Sequence, residues 1–247
     1  MTPYIGDKDH PYVVFDFSPD QSFNRNKAFF EDYSGMVQAD AAPGFDAFFK
    51  DGSKIEVGCS AHSRRKYYEY LLTDPEDIDC LTALDIYREL YLIEDVIAKK
   101  SPAEKLAIRR RKSKPLVKKL RTLLTGLQGK FPPTNGLMEA VDYTLKHWIA
   151  LTRFLKNAAL DIDNNACERA IKAFVLARKN FLFAGSDDGG RAAAILLSFI
   201  ATCDMQGLNP IDYLSDVFSR INSLKVSDLP SLLPDRWAQA QKQMKVS

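Results

Sequence analysis

Tyr12-Val-Val-Phe-Asp-Phe17, closed by Ser18-Pro19-Asp20, is the stretch whose reading decides the fold class. β-Branched and aromatic residues favour a strand, and the Ser-Pro-Asp triplet supplies turn chemistry at its end. Asn24 to Tyr33 follows with helical apolar spacing at Ala28, Phe29, Phe30 and Tyr33. Gly35-Met-Val-Gln-Ala-Asp40 then reads as a short strand stopped by Ala41-Ala42-Pro43-Gly44, and Ile55-Glu-Val-Gly-Cys59 as another. An earlier strand begins at Pro3-Tyr-Ile-Gly6. Strand, helix and strand in close succession predict an α/β fold with a mixed sheet rather than a helical bundle.

Beyond Ser60 the period changes. From Arg64 to Leu155 almost every segment has helical spacing, as in Leu81, Leu84, Ile86, Tyr87, Leu90, Tyr91, Ile93 and Ile97. Ser101-Pro-Ala-Glu104 is a capping box with proline in the first turn, which fixes a helix start there. Pro115 is expected to kink or restart that helix, and Phe131-Pro-Pro-Thr-Asn-Gly136 to form a loop. Short strands are expected again at Ala159–Asp163 and Phe181–Ala184, around a helix from Asn164 to Ala173. Further helices are expected from Arg191 to about Met205 and from Pro210 to about Ile221. The expected organisation is an α/β domain, residues 1–62 and 158–225, split by a helical insertion, 63–157, with a tail over 226–247.

An apolar fraction of 46% with 27% charged residues is that of an ordinary globular protein. No apolar run approaches the ~20 residues of a membrane span, no secretory signal is visible, and four scattered cysteines do not make a disulfide framework. A cytoplasmic setting is expected, with no membrane partner. Net charge is only +2, yet Lys99–Arg121 holds eleven Lys or Arg residues against the single acid Glu104. Such a stripe attracts a polyanion; it can equally be a solvated helix face.

Phosphodiester chemistry needs hard-ion ligands, isolated carboxylates at the ends of elements. Asp40 fits, although an aspartate before Ala-Ala-Pro-Gly also suits a turn. Glu168 fits within Asp163-Asn-Asn-Ala-Cys-Glu-Arg-Ala-Ile-Lys172, although Asn165 with Glu168 also matches a capping box and Glu168 with Lys172 an i,i+4 pair. Cys59-Ser-Ala-His62 resembles half of a zinc site, but no second closely spaced pair accompanies it. Arg64-Arg65-Lys66 is a basic cluster suited to phosphate contacts. Ser186-Asp-Asp-Gly-Gly-Arg191 is Gly-rich but lacks the Gly-Lys-Ser/Thr of a nucleotide-binding loop.

Taken in order, several strings resemble the transposases of the insertion sequence 66 family. They are Val13-Val-Phe-Asp-Phe-Ser-Pro19, Met36-Val-Gln-Ala-Asp-Ala-Ala-Pro-Gly-Phe45 and Gly58-Cys-Ser-Ala-His-Ser-Arg-Arg-Lys66. Leu151-Thr-Arg-Phe-Leu155, Ile162-Asp-Asn-Asn-Ala-Cys-Glu-Arg-Ala-Ile171, Ala177-Arg-Lys-Asn-Phe-Leu-Phe-Ala-Gly-Ser186 and Leu232-Leu-Pro-Asp-Arg-Trp237 continue the series. The resemblance implies an RNase H-like catalytic domain with an Asp-Asp-Glu triad, interrupted by a helical insertion before the glutamate. It assigns the second aspartate to Asp40 and the glutamate to Glu168, as catalytic residues and as ligands of Mg²⁺, with Mn²⁺ as a substitute.

It further matches Cys59 and His62 to a Cys-x-x-His signature that supports the site, together with Asn164 and Asn165. DNA is the implied partner, contacted by Arg64, Arg65, Lys66, Arg109, Arg110, Arg111, Lys112, Arg169, Arg178 and Lys179. Self-association, full-length transposase and accessory proteins of the same element are further implied partners, and the bacterial nucleoid the implied location. The first aspartate and the N-terminal DNA-binding region are expected to lie outside this chain, Asp16 being a poor substitute two strands later. The chain alone is therefore expected to be inactive. The alternative is a non-catalytic DNA-binding or interaction remnant of a transposase.

Overall fold

The computed structural model describes residues 1–18, 28–40, 48–50, 52–181 and 185–244, without the side chains of 173, 176–181 and 244. The chain is mostly helical with two small sheets, and divides into two compact units, Met1–Arg25 with Ala166–Ser247, and Asn26–Asn165.

In the first unit, β1 (Thr2–Ile5) pairs antiparallel with β2 (Val13–Asp16) in the register Thr2↔Asp16 to Ile5↔Val13. The other edge of β2 is closed by a helix. α8 (Asp187–Gln206) presents Ser198, Thr202 and Gln206 at four-residue spacing, on one face. Ser198 Oγ accepts from the Phe15 N–H at 2.8 Å, Thr202 Oγ1 accepts from the Val13 N–H at 3.0 Å, and Gln206 Nε2 donates to the Pro11 carbonyl at 2.8 Å. Three polar side chains thus replace a third strand. Val13, Phe15 and Ala194 form the core of the contact. α8 starts on Ser186, whose hydroxyl caps the Gly189 N–H, and stops at Gly207 with φ 69°.

The same unit holds α7 (Asn165–Phe181, whose first residue belongs to the other unit), α9 (Pro210–Arg220) and α10 (Pro234–Met244). Cys203, Tyr213, Val217 and Leu232 make a second small core, flanked by Trp237.

The second unit opens with β3 (Gly35–Gln38) and β4 (Lys54–Val57), paired parallel with Gly35 opposite Lys54 and Gln38 opposite Val57. Next come α1 (Ser60–Leu71) and α2 (Ile78–Ile97), then α3 (Pro102–Ile108), a π-turn over Arg109–Ser113 and α4 (Lys114–Leu127). α5 (Gly136–Lys146) and α6 (Trp148–Leu151) complete it. The expected capping box is present, with Ser101 Oγ on the Glu104 N–H and Glu104 back on Ser101. Pro115 falls in the first turn of α4, just past the π-turn in which the Lys114 N–H reaches back to the Arg109 carbonyl. A proline has no N–H to give to the fourth residue back, and the wider turn absorbs the change of register.

The core of this unit is built from Tyr67, Ile86, Leu90, Leu124, Met138, Val141 and their neighbours. Within it the hydroxyls of Ser63, Tyr67, Tyr87 and Thr144 bond to one another at 2.6–2.9 Å, linking α1, α2 and α5. Burial pushes the Tyr87 hydroxyl up to about 12, so the network is neutral.

Three expectations change. Among the described residues there are two two-stranded sheets, one antiparallel and one parallel, instead of one mixed sheet. Ala159–Asp163 is not a strand, because its carbonyls are taken by other partners: Arg109 at Leu160, Gln38 at Asp161 and the Ser60 N–H at Ile162. Phe181 ends α7 rather than opening a strand, and 182–184 lie outside the described residues; no Pro or Gly in 165–181 stops the helix sooner. The helix expected over Asn24–Tyr33 lies partly outside them as well, with Ala28 and Phe29 helical.

Thr202→Val keeps the shape of the side chain but leaves the Val13 N–H and carbonyl without their shared partner. The expected cost is about 1–3 kcal/mol, read as a lower denaturant midpoint with an unchanged slope.

Candidate functional site

Asp40 stands two residues past β3, on the same side of the strand as Gln38 by the two-residue period. The Ala39 N–H donates to the Val57 carbonyl at 3.0 Å, so the ladder continues to the residue before Asp40 and fixes its direction. Tyr143 of α5 donates its hydroxyl to the Asp40 carbonyl at 3.2 Å. Burial, with Cys59, Asp40 and Glu56 nearby, pushes that hydroxyl up to about 12. It stays protonated at neutral pH and holds the main chain of Asp40 in place.

Cys59 is the residue that starts α1 and is 1% exposed. Its sulfur and a ring nitrogen of His62 lie within 4.8 Å, since three residues on a helix's first turn share a face. Burial pushes the Cys59 thiol up, and Asp163 adds to this, against a smaller pull from the N–H groups of Asn164, His62 and Ala61. Asn164 Oδ1 is buried with no hydrogen-bond partner among the described residues.

Asn165 is the first residue of α7 and is tied to Asp163, whose carboxylate accepts from its N–H at 3.0 Å and from Nδ2 at 2.7 Å. That places Asn165 inside the helix rather than at the cap position. Glu168 follows in the first turn of the same helix, half-buried, with Arg169 exposed next to it. Arg178 and Lys179 lie further along α7, and their side chains are outside the described residues.

The basic candidates separate into groups. Arg64 and Arg65 are exposed on α1, while Lys66 is half-buried with its ammonium 5.0 Å from the Tyr143 ring centre. Arg110, Arg111 and Lys112 are exposed on the π-turn.

Arg109 must be withdrawn from the DNA contacts. Its side chain is 1% exposed, and Nε donates to Glu94 Oε1 at 2.9 Å. Nη1 donates to the carbonyls of Phe154 at 2.7 Å and Asn157 at 2.9 Å, and Nη2 to that of Leu160 at 2.9 Å. A guanidinium so enclosed cannot reach phosphate. It fixes the segment that leads to Asp163–Asn165.

Gln38, Arg109 in this role, Tyr143 and Asp163 are the residues that sequence reasoning missed. Gln38 had a signal, its shared parity with Asp40 on one strand. Its Nε2 donates to the carbonyls of Gly58, 3.3 Å, and Asp161, 3.0 Å, joining the Asp40 strand to the Cys59 and Asp163 segments.

The description "Transposase IS66 family" matches residues 1–192, and "IS66 C-terminal element" matches 198–234. The chain belongs to the IS66 transposase family. Among its relatives are three uncharacterized proteins of Sinorhizobium fredii (strain NBRC 101917 / NGR234). The one called y4hP is 33% identical over 245 residues, covering 93% of this chain and 44% of the relative. For y4jD the identity is 30% over 237 residues, covering 92% and 46%, and for y4qI 33% over 242 residues, covering 94% and 44%. The chain thus spans less than half the length of the curated relatives it matches. No solved structure matches it significantly.

Arg109→Met leaves the Glu94 carboxylate, 13% exposed, without its partner and frees three carbonyls. It is expected to destabilise the protein by about 3–5 kcal/mol, and Arg109→Lys to recover only part of that, because an ammonium cannot span the same acceptors. Chemical denaturation of both variants checks this.

Proposed function

We propose that this chain is the catalytic-domain portion of an insertion-sequence transposase with an RNase H-like fold, residues 1–62 and 158–225, around the insertion 63–157. The observation that carries the reading is the family match over residues 1–192, which contains both Asp40 and Glu168. In this reading the two carboxylates hold a divalent ion, Mg²⁺ with Mn²⁺ as a substitute. The chemistry of the donors fits: both are oxygen ligands, the buried Asn164 Oδ1 is a further oxygen without a hydrogen-bond partner among the described residues, and the parallel pair β3–β4 directs Asp40 from the end of a strand. When bound, such an ion neutralises charge at the scissile phosphate and lowers the pKa of a water for attack.

The residues around the carboxylates have their own tasks. Tyr143 offers a neutral hydroxyl beside Asp40, and Gln38 and Asp163 hold the segments on which Asp40 and Asn164 stand. Cys59, buried at the start of α1, and His62, one turn further on, are structural or site-supporting residues. Strand cleavage at the element's ends and transfer of the freed 3′-hydroxyl to target DNA belong to the complete protein, working on chromosomal DNA in the bacterial cytoplasm. No helix among the described residues is long and apolar enough to cross a membrane.

Mn²⁺ binding followed by the loss of the free-ion electron paramagnetic resonance signal tests the carboxylate assignment. Asp40→Asn and Glu168→Gln are each expected to weaken binding at least about tenfold, with circular dichroism unchanged. Unchanged affinity in both variants would remove the assignment.

Arg64, Arg65, Arg110, Arg111, Lys112 and Arg169 are the proposed phosphate contacts, with Lys66, Arg178 and Lys179 as further candidates. Replacing Arg110, Arg111 and Lys112 together by Ala is expected to reduce the slope of log K against log salt by about 2–3, equally for specific and random duplexes. Salt-dependent DNA binding that survives in a chain unable to bind Mn²⁺ would favour the second reading, a DNA-binding remnant.

A further inference from the structure

α2 carries two apolar faces, and the core uses one. Cys80, Ala83, Ile86, Tyr87, Leu90 and Ile97 are buried. On the opposite side Ile78, Leu81, Asp85, Arg88, Leu92 and Asp95 recur at alternating steps of three and four, the a/d spacing of a coiled coil. Among the described residues nothing covers that stripe: Ile78 is 77% exposed, Leu81 41% and Leu92 53%, with Val96 beside its end at 71%. It borders an open trough of about 480 Å³ between α2 and α1, lined also by Ala61, Arg64, Leu84 and Tyr91. All of these residues belong to the unit Asn26–Asn165.

We propose that this stripe is a homodimer interface, in which α2 of a second copy of this chain lies antiparallel along the trough. The order of charges selects this occupant. With a two-fold axis crossing the helix midway between Asp85 and Arg88, Asp85 of each copy meets Arg88 of the other and Leu81 meets Leu92 on both sides, while Ile78 and Asp95 face each other only at the exposed ends of the stripe. One contact made twice is what an isologous interface requires. A parallel pairing sets Asp85 on Asp85 and Arg88 on Arg88, which like-charge repulsion opposes.

Within one chain Asp85 and Arg88 already pair at 3.2 Å, but with 67% and 62% of their side chains exposed, a contact of little value that is readily exchanged for one across the axis. Nucleic acid is a poorer occupant, since the carboxylates of Asp85 and Asp95 offset the guanidiniums of Arg64 and Arg88 and leave the lining of the trough without net positive charge.

One pair of 20-residue helices, each about 30 Å long, makes a small interface, so weak and reversible association, on the order of micromolar, is expected.

Sedimentation velocity of the 247-residue chain, from about 1 to about 100 μM, should show reversible dimerisation. Asp85→Lys and Arg88→Glu each turn both cross-axis pairs repulsive and are expected to raise the dissociation constant at least tenfold. An equimolar mixture of the two variants restores both pairs and should dimerise like the parent chain, an outcome that damage to the fold would not produce. Leu92→Glu should be monomeric and should not be rescued by either variant. A parent chain monomeric throughout, or a dimer indifferent to Asp85→Lys and Leu92→Glu, overturns the proposal. So does a mixture that stays monomeric while the parent dimerises. The proposal does not depend on the transposase reading, and its failure would leave the metal and DNA experiments untouched.

Discussion

The Arg109 guanidinium holds together parts of the larger unit that the chain itself keeps far apart. It takes one carboxylate from α2 and three carbonyls from the 154–160 segment, and it sits in a π-turn between α3 and α4, the second of which packs into the core of the unit. Five donors in a rigid planar fork match that set of acceptors, which no other side chain could do. The buried pair is not in itself a large source of stability, since desolvating both ions offsets most of their attraction. What it supplies is position. With 154–160 fixed, the chain arrives at Asp163, Asn164 and Asn165 in one register.

The same economy recurs wherever a main-chain group lacks a strand to pair with. Ser198, Thr202 and Gln206 close the edge of β2 from a helix, and Gln38 takes two carbonyls between separate segments. Buried N–H and carbonyl groups must be satisfied, and here side chains satisfy many of them. This is why the sheets are small although the sequence holds several strand-like runs. Ala159–Asp163 has strand composition, yet its acceptors are used by an arginine, a glutamine and a helix start, and no ladder forms.

Much of the helical architecture was legible in local patterns. The Ser101–Glu104 box, the proline after Lys114 and the buried stripe of α2 act over a few residues, where propensity and capping dominate. The opposite stripe of α2 was not legible in the same way. Leu81 belongs to the apolar period but faces outward, because a helix with two apolar faces does not announce which one the core will take. Candidate residues followed the same division. Asp40, Cys59 and His62 stand in short strings whose local geometry follows from a strand end and a helix start. Tyr143 and Asp163 reach them from distant parts of the chain.

By itself, then, the sequence determined most of the helices and the capped start at Ser101, the strand that delivers Asp40, the pairing of Cys59 with His62 on one helical turn, and membership of the IS66 transposase family through strings that occur in order. Only the tertiary structure decided that Arg109, one of four adjacent cations, is a buried strut while Arg110, Arg111 and Lys112 face solvent. A run of like charges has no periodic signal, and which member turns inward depends on a carboxylate fifteen residues earlier and on carbonyls 45 to 51 residues later. Those partners share no local pattern with Arg109, and folding alone brings them within hydrogen-bonding distance.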